Sequence, residues 1–149
     1  VTDSYETPIS RPRVVTIVFW VWTASAVVLL LLGLLSVTIS GDTVRQSVTS
    51  AGLSAADADG YVTLFRAVGA LILVVGAAIG FMTGRVGKGD IRFRRALAAL
   101  SMVFALVLIG ATLVGVIVVP ILGLLSAVLL LVAAVLSFRP SAEPWFSRD

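Results

Sequence analysis

Cysteine and histidine are both absent from this 149-residue chain, and only eight of its residues are acidic. Without cysteine there is no disulfide, no thiolate nucleophile and no cysteine-held metal or iron–sulfur cluster. Without histidine there is no imidazole, either as the axial ligand that haem would want or as a base. The eight carboxylates (Asp3, Glu6, Asp42, Asp57, Asp59, Asp90, Glu143 and Asp149) all lie outside the apolar blocks. A proton-coupled carrier needs an ionisable group inside the membrane to load and release its ion, and none is placed there. Intramembrane proteolysis would need paired aspartates, a serine with histidine, or a zinc site. Ser25, Ser36, Ser101 and Ser126 have no base near them in sequence and read as helix-packing hydroxyls. Neither an enzyme nor a bound cofactor or metal is expected.

Charge is sparse as well, at 13% of residues, whereas 59% are hydrophobic and the mean hydropathy is +1.12. Such a balance belongs to a chain immersed in lipid. A helix crosses the bilayer with about 20 apolar residues, because each residue rises about 1.5 Å through a hydrocarbon layer about 30 Å thick. Val14 to Val37 meets that length without a charge, and Tyr61 to Thr83 meets it with only Arg66. Ala96 to Phe138 is uncharged and twice as long, so it folds into a hairpin that turns near Gly115 to Pro120. Glycine releases the backbone there, and Pro120 suits a first helical turn, where its missing N–H costs nothing. The fold expected is all-α, a single domain of four transmembrane helices over about 14–37, 61–83, 96–115 and 120–138. The first block exceeds a 7–15-residue signal-peptide core and is expected to be retained.

Orientation follows from the basic residues. Arg85, Lys88, Arg92, Arg94 and Arg95 oppose only Asp90 in the middle loop, and Arg11, Arg13 and Arg139 flank spans on the same side. The positive side is the cytoplasmic one, so both termini are expected in the cytoplasm and the chain in the plasma membrane. The net charge of +3 is explained by this arrangement rather than by nucleic acid. Trp20, Trp22, Phe81, Phe93, Phe138, Trp145 and Phe146 near one set of span ends, and Tyr61 and Phe65 near the other, read as interfacial anchors. Between the first two spans, Asp42 is placed to cap a short amphipathic helix with Val44 and Val48 on one face and Gly52 as its stop. Ser54-Ala55-Ala56-Asp57 is a weaker capping box that starts the next helix about two turns outside the membrane.

Arg66 lies within two turns of a span end, where its stem can snorkel outward toward Asp59 or meet a lipid headgroup or partner. Arg92, Arg94 and Arg95 are candidate headgroup contacts in the same sense. Gly76, Gly80 and Gly84 form two consecutive GxxxG steps, with Gly69 on a similar face, and so make a groove into which another helix backbone can pack. Ala111 with Gly115, and Gly123 with Ala127, are weaker versions on the last two spans. These faces, and the wholly apolar turn from Gly115 to Pro120, serve either the bundle itself or a partner. Two function classes stay open: an accessory subunit of a larger integral membrane complex, or a homo-oligomeric channel or carrier. Only isolated Thr and Ser residues interrupt the spans, which favours the accessory subunit over a pore.

Arg11-Pro12-Arg13-Val14-Val15 followed by Phe19-Trp20-Val21-Trp22, with later helices dense in Gly, Ala and Val and an initial Val1 that suits a GTG start, resembles the small four-helix membrane proteins of mycobacteria and related actinobacteria. Some of these are similar to accessory subunits of envelope machines. The resemblance implies a structural role in one of two: an Mce-type importer of fatty acids or sterols, or the respiratory cytochrome supercomplex. The absence of any redox ligand and the presence of an outer cap lean toward the lipid importer, with permease-type subunits and membrane lipids as partners.

Overall fold

A computed structural model describes residues 12–117 and 119–139, which form five helices: α1 (Arg13–Thr38), α2 (Gly41–Ser50), α3 (Ala55–Val86), α4 (Ile91–Val114) and α5 (Pro120–Ser137). Val1, Arg11, Val118, Trp145 and Phe146, with the carboxylates Asp3, Glu6, Glu143 and Asp149, lie outside the described residues. The fold is all-helical, and α1, α3, α4 and α5 are each long and apolar enough to cross a membrane. α2 is the short amphipathic helix, with Val44 and Val48 buried on one face.

Local chemistry sets most of the helix ends. Ser54 caps α3: its hydroxyl accepts from the Asp57 backbone N–H at 3.2 Å and donates to the Asp57 carboxylate at 2.6 Å. Asp90 caps α4 in the same manner, accepting from the Arg92 N–H at 3.0 Å, so this helix starts five residues before its apolar run. α4 ends at Gly115, whose φ of +82° is the left-handed conformation that glycine adopts without strain. The Val116 N–H then bonds the Ala111 carbonyl and the Gly115 N–H that of Thr112, which satisfies two carbonyls that the helix leaves open. Pro120 opens α5. Asp42, by contrast, does not cap α2. The helix begins at Gly41 after Ser40 with no side-chain cap, and Asp42 lies inside its first turn, bonded to Arg45.

The four long helices close into a ring in which α1 packs on α3 and α5, and α4 on α5 and α3. One apolar cluster draws on all four, with Trp22, Leu29, Leu32, Ile79, Leu97 and Leu130 wholly enclosed. The remaining apolar side chains, Leu31, Val74, Leu106 and Val135 among them, point outward, as a bundle surrounded by lipid requires.

The α1–α3 contact is the most intimate. A Cβ on Gly33 would sit 2.7 Å from Leu73 Cγ and 2.9 Å from the Gly69 carbonyl oxygen. One on Gly69 would sit 2.6 Å from Ser36 Cβ, and one on Gly76 3.1 Å from Leu29 Cβ. Gly80 faces Ala26 more loosely, at 3.7 Å, and Gly84 has open space. The glycine groove of α3 is therefore filled by α1 as far as Gly76, and Gly33 is its counterpart on the opposing helix. Between lipid-soluble helices the attraction is van der Waals contact, which only such close approach supplies.

Replacing Gly33 or Gly69 by alanine is expected to lower unfolding stability in detergent by about 1–2 kcal/mol, because the clash with backbone atoms outweighs the gain in helix propensity. Gly84→Ala, with nothing nearby, should be neutral or slightly stabilising. Denaturant titration of the three variants checks the difference in sign.

Candidate functional site

Two regions of the bundle surface carry features that the packing does not consume, one at the α2 end and one at the opposite, basic end.

At the α2 end, α3 extends beyond the apolar block and α2 lies against that extension. Val44 and Val48 close on Ala58 and Val62, a small second core. Arg45 fastens the two helices, with its Nε 2.7 Å from Asp59 and an Nη 3.0 Å from Asp42. The hydrogen bond and charge of Asp59, and then those of Asp42, hold the Arg45 guanidinium above its ordinary pKa. Asp59 is thus engaged by Arg45 and not by Arg66. The Arg66 side chain is exposed and reaches outward to the start of α2, where its Nη2 comes 3.8 Å from the Cβ position of Gly41. No ion pair holds it among the described residues.

Beside this small core a cleft of about 320 Å³ opens between α2, the start of α3 and the α4–α5 turn. Its walls include Ile39, Val44, Leu53, Phe65 and Ile117, with Thr43 and Ser47 along the α2 wall and no charged side chain. The Ser47 hydroxyl donates to its own helix, to the Thr43 carbonyl. Such a space accepts an uncharged, mainly apolar group. The turn itself is not the bare apolar loop that its sequence suggests. Val116 and Ile117 are buried at 6% and 4% exposure, and Ile117 belongs to the main core. Gly123 receives Ile117 and Thr112, at 3.1 and 2.9 Å from its Cβ position, so this glycine serves the hairpin. Beside the cleft, Leu113, Val114 and Ile121 are more than 70% exposed.

At the basic end the cations separate into two kinds. Arg94 is buried and turned inward: an Nη donates to the Ser137 carbonyl at the close of α5, at 3.4 Å, and the guanidinium stacks 5.3 Å from the Phe138 ring centroid. A cation at a helix C-terminus meets the negative end of the dipole, so Arg94 joins α4 to α5 and is not presented to headgroups. Arg85, Arg92 and Arg95 are exposed. Arg85 lies over the rings of Phe81 and Phe93, at 5.6 and 5.8 Å. Below it, Met82, Arg92, Phe93 and Ala96 line a groove of about 180 Å³ between α3 and α4.

The tryptophans also differ. Trp20 is 63% exposed, as an interfacial anchor is, but Trp22 is fully buried and its indole N–H donates to the Ser101 hydroxyl across the bundle at 3.1 Å. Sequence reading places Trp22 at the interface because it sees only the distance to the span end. The inward partner Ser101 is visible only once α1 and α4 are opposed. The buried hydroxyls of Ser25, Thr83, Ser126 and Ser137 each donate to a carbonyl of their own helix. Among the described residues no group of three His, Cys, Asp or Glu could hold a metal.

Comparison of the chain with protein-family models, with curated proteins and with solved structures finds no match.

Arg94→Gln is expected to lower unfolding stability by about 2 kcal/mol, the loss of a buried charged hydrogen bond, whereas Arg95→Gln should leave it within about 0.5 kcal/mol. Thermal unfolding in detergent, followed by helical circular dichroism, measures both.

Proposed function

We propose that this chain is a non-catalytic accessory subunit of a larger plasma-membrane assembly, with both termini in the cytoplasm, and that the assembly is an Mce-type importer of fatty acids or sterols. The observation that carries the reading is the contrast between the interior and the outer end. Inside, enclosed Leu and Ile side chains and a hydrogen-bonded Trp22–Ser101 pair fill the bundle, and among the described residues the buried hydroxyls of Ser25, Thr83, Ser126 and Ser137 are taken up by carbonyls of their own helices. At the α2 end the bundle keeps an open, uncharged cleft flanked by exposed Leu113, Val114 and Ile121. An uncharged, shaped cavity at the end of the bundle suits contact with an apolar segment of a partner or with its lipid cargo.

The role is structural in this reading. The partner face is the cleft and the α4–α5 tip, not the Gly69 to Gly76 groove, which α1 occupies. The resemblance of the Arg11 to Trp22 segment to small actinobacterial membrane proteins supports an accessory role, and the α2 cap beside the cleft favours the lipid importer over the cytochrome supercomplex.

The test is purification of the C-terminally tagged chain from its native host in mild detergent, with mass spectrometry of what accompanies it. Permease and ATPase subunits of the importer at stoichiometric yield are expected. Tryptophan at the cleft-wall positions, in the variants Thr43→Trp and Ser47→Trp, should reduce that yield at least fivefold while the chain still accumulates in the membrane. Respiratory cytochrome subunits in the importer's place would move the assignment to that supercomplex, and a pure homo-oligomer would restore the channel or carrier.

A further inference from the structure

The two ends of the bundle treat charge in opposite ways. At the α2 end, Arg45 is neutralised by Asp42 and Asp59. At the basic end, Arg85, Lys88, Arg92 and Arg95 form no ion pair among the described residues, and the carboxylate nearest to them in sequence, Asp90, accepts the Arg92 backbone N–H as the cap of α4. Among the described residues, four cations without an ion pair are therefore gathered at this end.

Two of them are also placed. The Arg85 guanidinium carbon lies 5.6 Å from the Phe81 ring centroid and 5.8 Å from that of Phe93, so two aromatic rings hold this cation near the surface. Arg92 lines the groove whose other walls are Met82, Phe93 and Ala96. Phe93 is common to both, so the Arg85 guanidinium and the apolar groove adjoin. Arg92 and Ala96, two of the groove's four lining residues, are exposed, so the groove opens on the bundle surface. A planar, multidentate cation beside an open, mainly apolar groove matches a ligand with an anionic phosphodiester head and a hydrocarbon tail. A soluble phosphate compound would use the arginines alone and leave the groove empty.

We propose that the α3–α4 groove at the basic end binds one anionic phospholipid, with its phosphodiester held by Arg85 and Arg92 and the first methylenes of one acyl chain against Met82, Phe93 and Ala96. The site is separate from the outer cleft and does not depend on the identity of the partner complex.

Native mass spectrometry of the full chain, released from detergent after titration with phosphatidylglycerol or phosphatidylcholine, tests it. A single phosphatidylglycerol adduct is expected, favoured over phosphatidylcholine by about twenty-fivefold, with about fivefold contributed by each arginine. Arg85→Gln and Arg92→Gln should each remove about fivefold of the preference, and Arg45→Gln, at the other end, none of it. Ala96→Phe fills the groove at an exposed position and leaves every charge in place, and it should weaken binding of both lipids severalfold. Equal affinity for the two lipids would overturn the proposal, as would a preference that survives loss of both arginines. Displacement of the lipid by an equal concentration of inorganic phosphate would refute the lipid as ligand. Undiminished binding to Ala96→Phe would reduce the site to diffuse charge. If the double arginine variant does not fold, the wild-type preference and the Ala96→Phe result decide the matter.

Discussion

The distance between α1 and α3 governs this bundle. Lipid tails are as apolar as leucine, so helices inside a bilayer gain nothing by hiding hydrophobic surface from one another, and they associate through the number of atoms they bring into contact. Gly33, Gly69 and Gly76 remove the side chains that would hold the two backbones apart, and Ser36 and Ala26 keep the opposing surface low. With α3 drawn in on one side, the other face of α1 packs on α5, while Trp22 reaches across the centre to Ser101 on α4. The ring closes around that indole. Ser36 illustrates the geometric demand: its hydroxyl is buried without a hydrogen-bond partner among the described residues. What the position needs is a small side chain.

Much of the architecture is legible in the amino acids, because bilayer thickness converts directly into residue counts. The first two apolar blocks give one span each, the long third block gives a hairpin, and Gly115 and Pro120 lie at its turn for reasons of backbone conformation alone. Ser54 announces the start of α3 by the same local logic. What the sequence conceals is which neighbour each face meets. A four-residue glycine period says that a groove exists, and whether α1 or a foreign helix fills it depends on Gly33, a lone glycine in α1 with no motif around it. Trp22 and Arg94 are hidden for a related reason. Both stand near span ends, where aromatic and basic residues usually face outward, and both are turned inward by partners, Ser101 and Ser137, that lie 79 and 43 residues away. Asp90, which enters the sequence reading only as the one acid set against the basic residues of the loop, proves to be a helix cap.

The α2 end and the basic end have divided the polar work between them. Around α2, each charge that fastens the cap to α3 has its counter-charge, which keeps the cap compact and leaves the adjoining cleft uncharged. At the other end, one arginine is withdrawn into the fold to hold the end of α5, and the rest stay available at the surface. Arg94 and its exposed neighbours thus have opposite duties within four residues of chain. A charge count over the loop would assign them one.

The unequal lengths of the helices have a mechanical side. α5 has 18 residues and α3 has 32, or about 27 Å against about 48 Å at the standard helical rise. A helix of 18 residues is close to the thickness of a hydrocarbon layer of about 30 Å, whereas α3 overreaches it because its first turns stand outside the apolar block. That surplus is not for lipid to accommodate: it forms the post against which Val44 and Val48 of α2 pack. The height at which the cap stands above the bundle is therefore set by the length of one helix, before any side-chain contact is made.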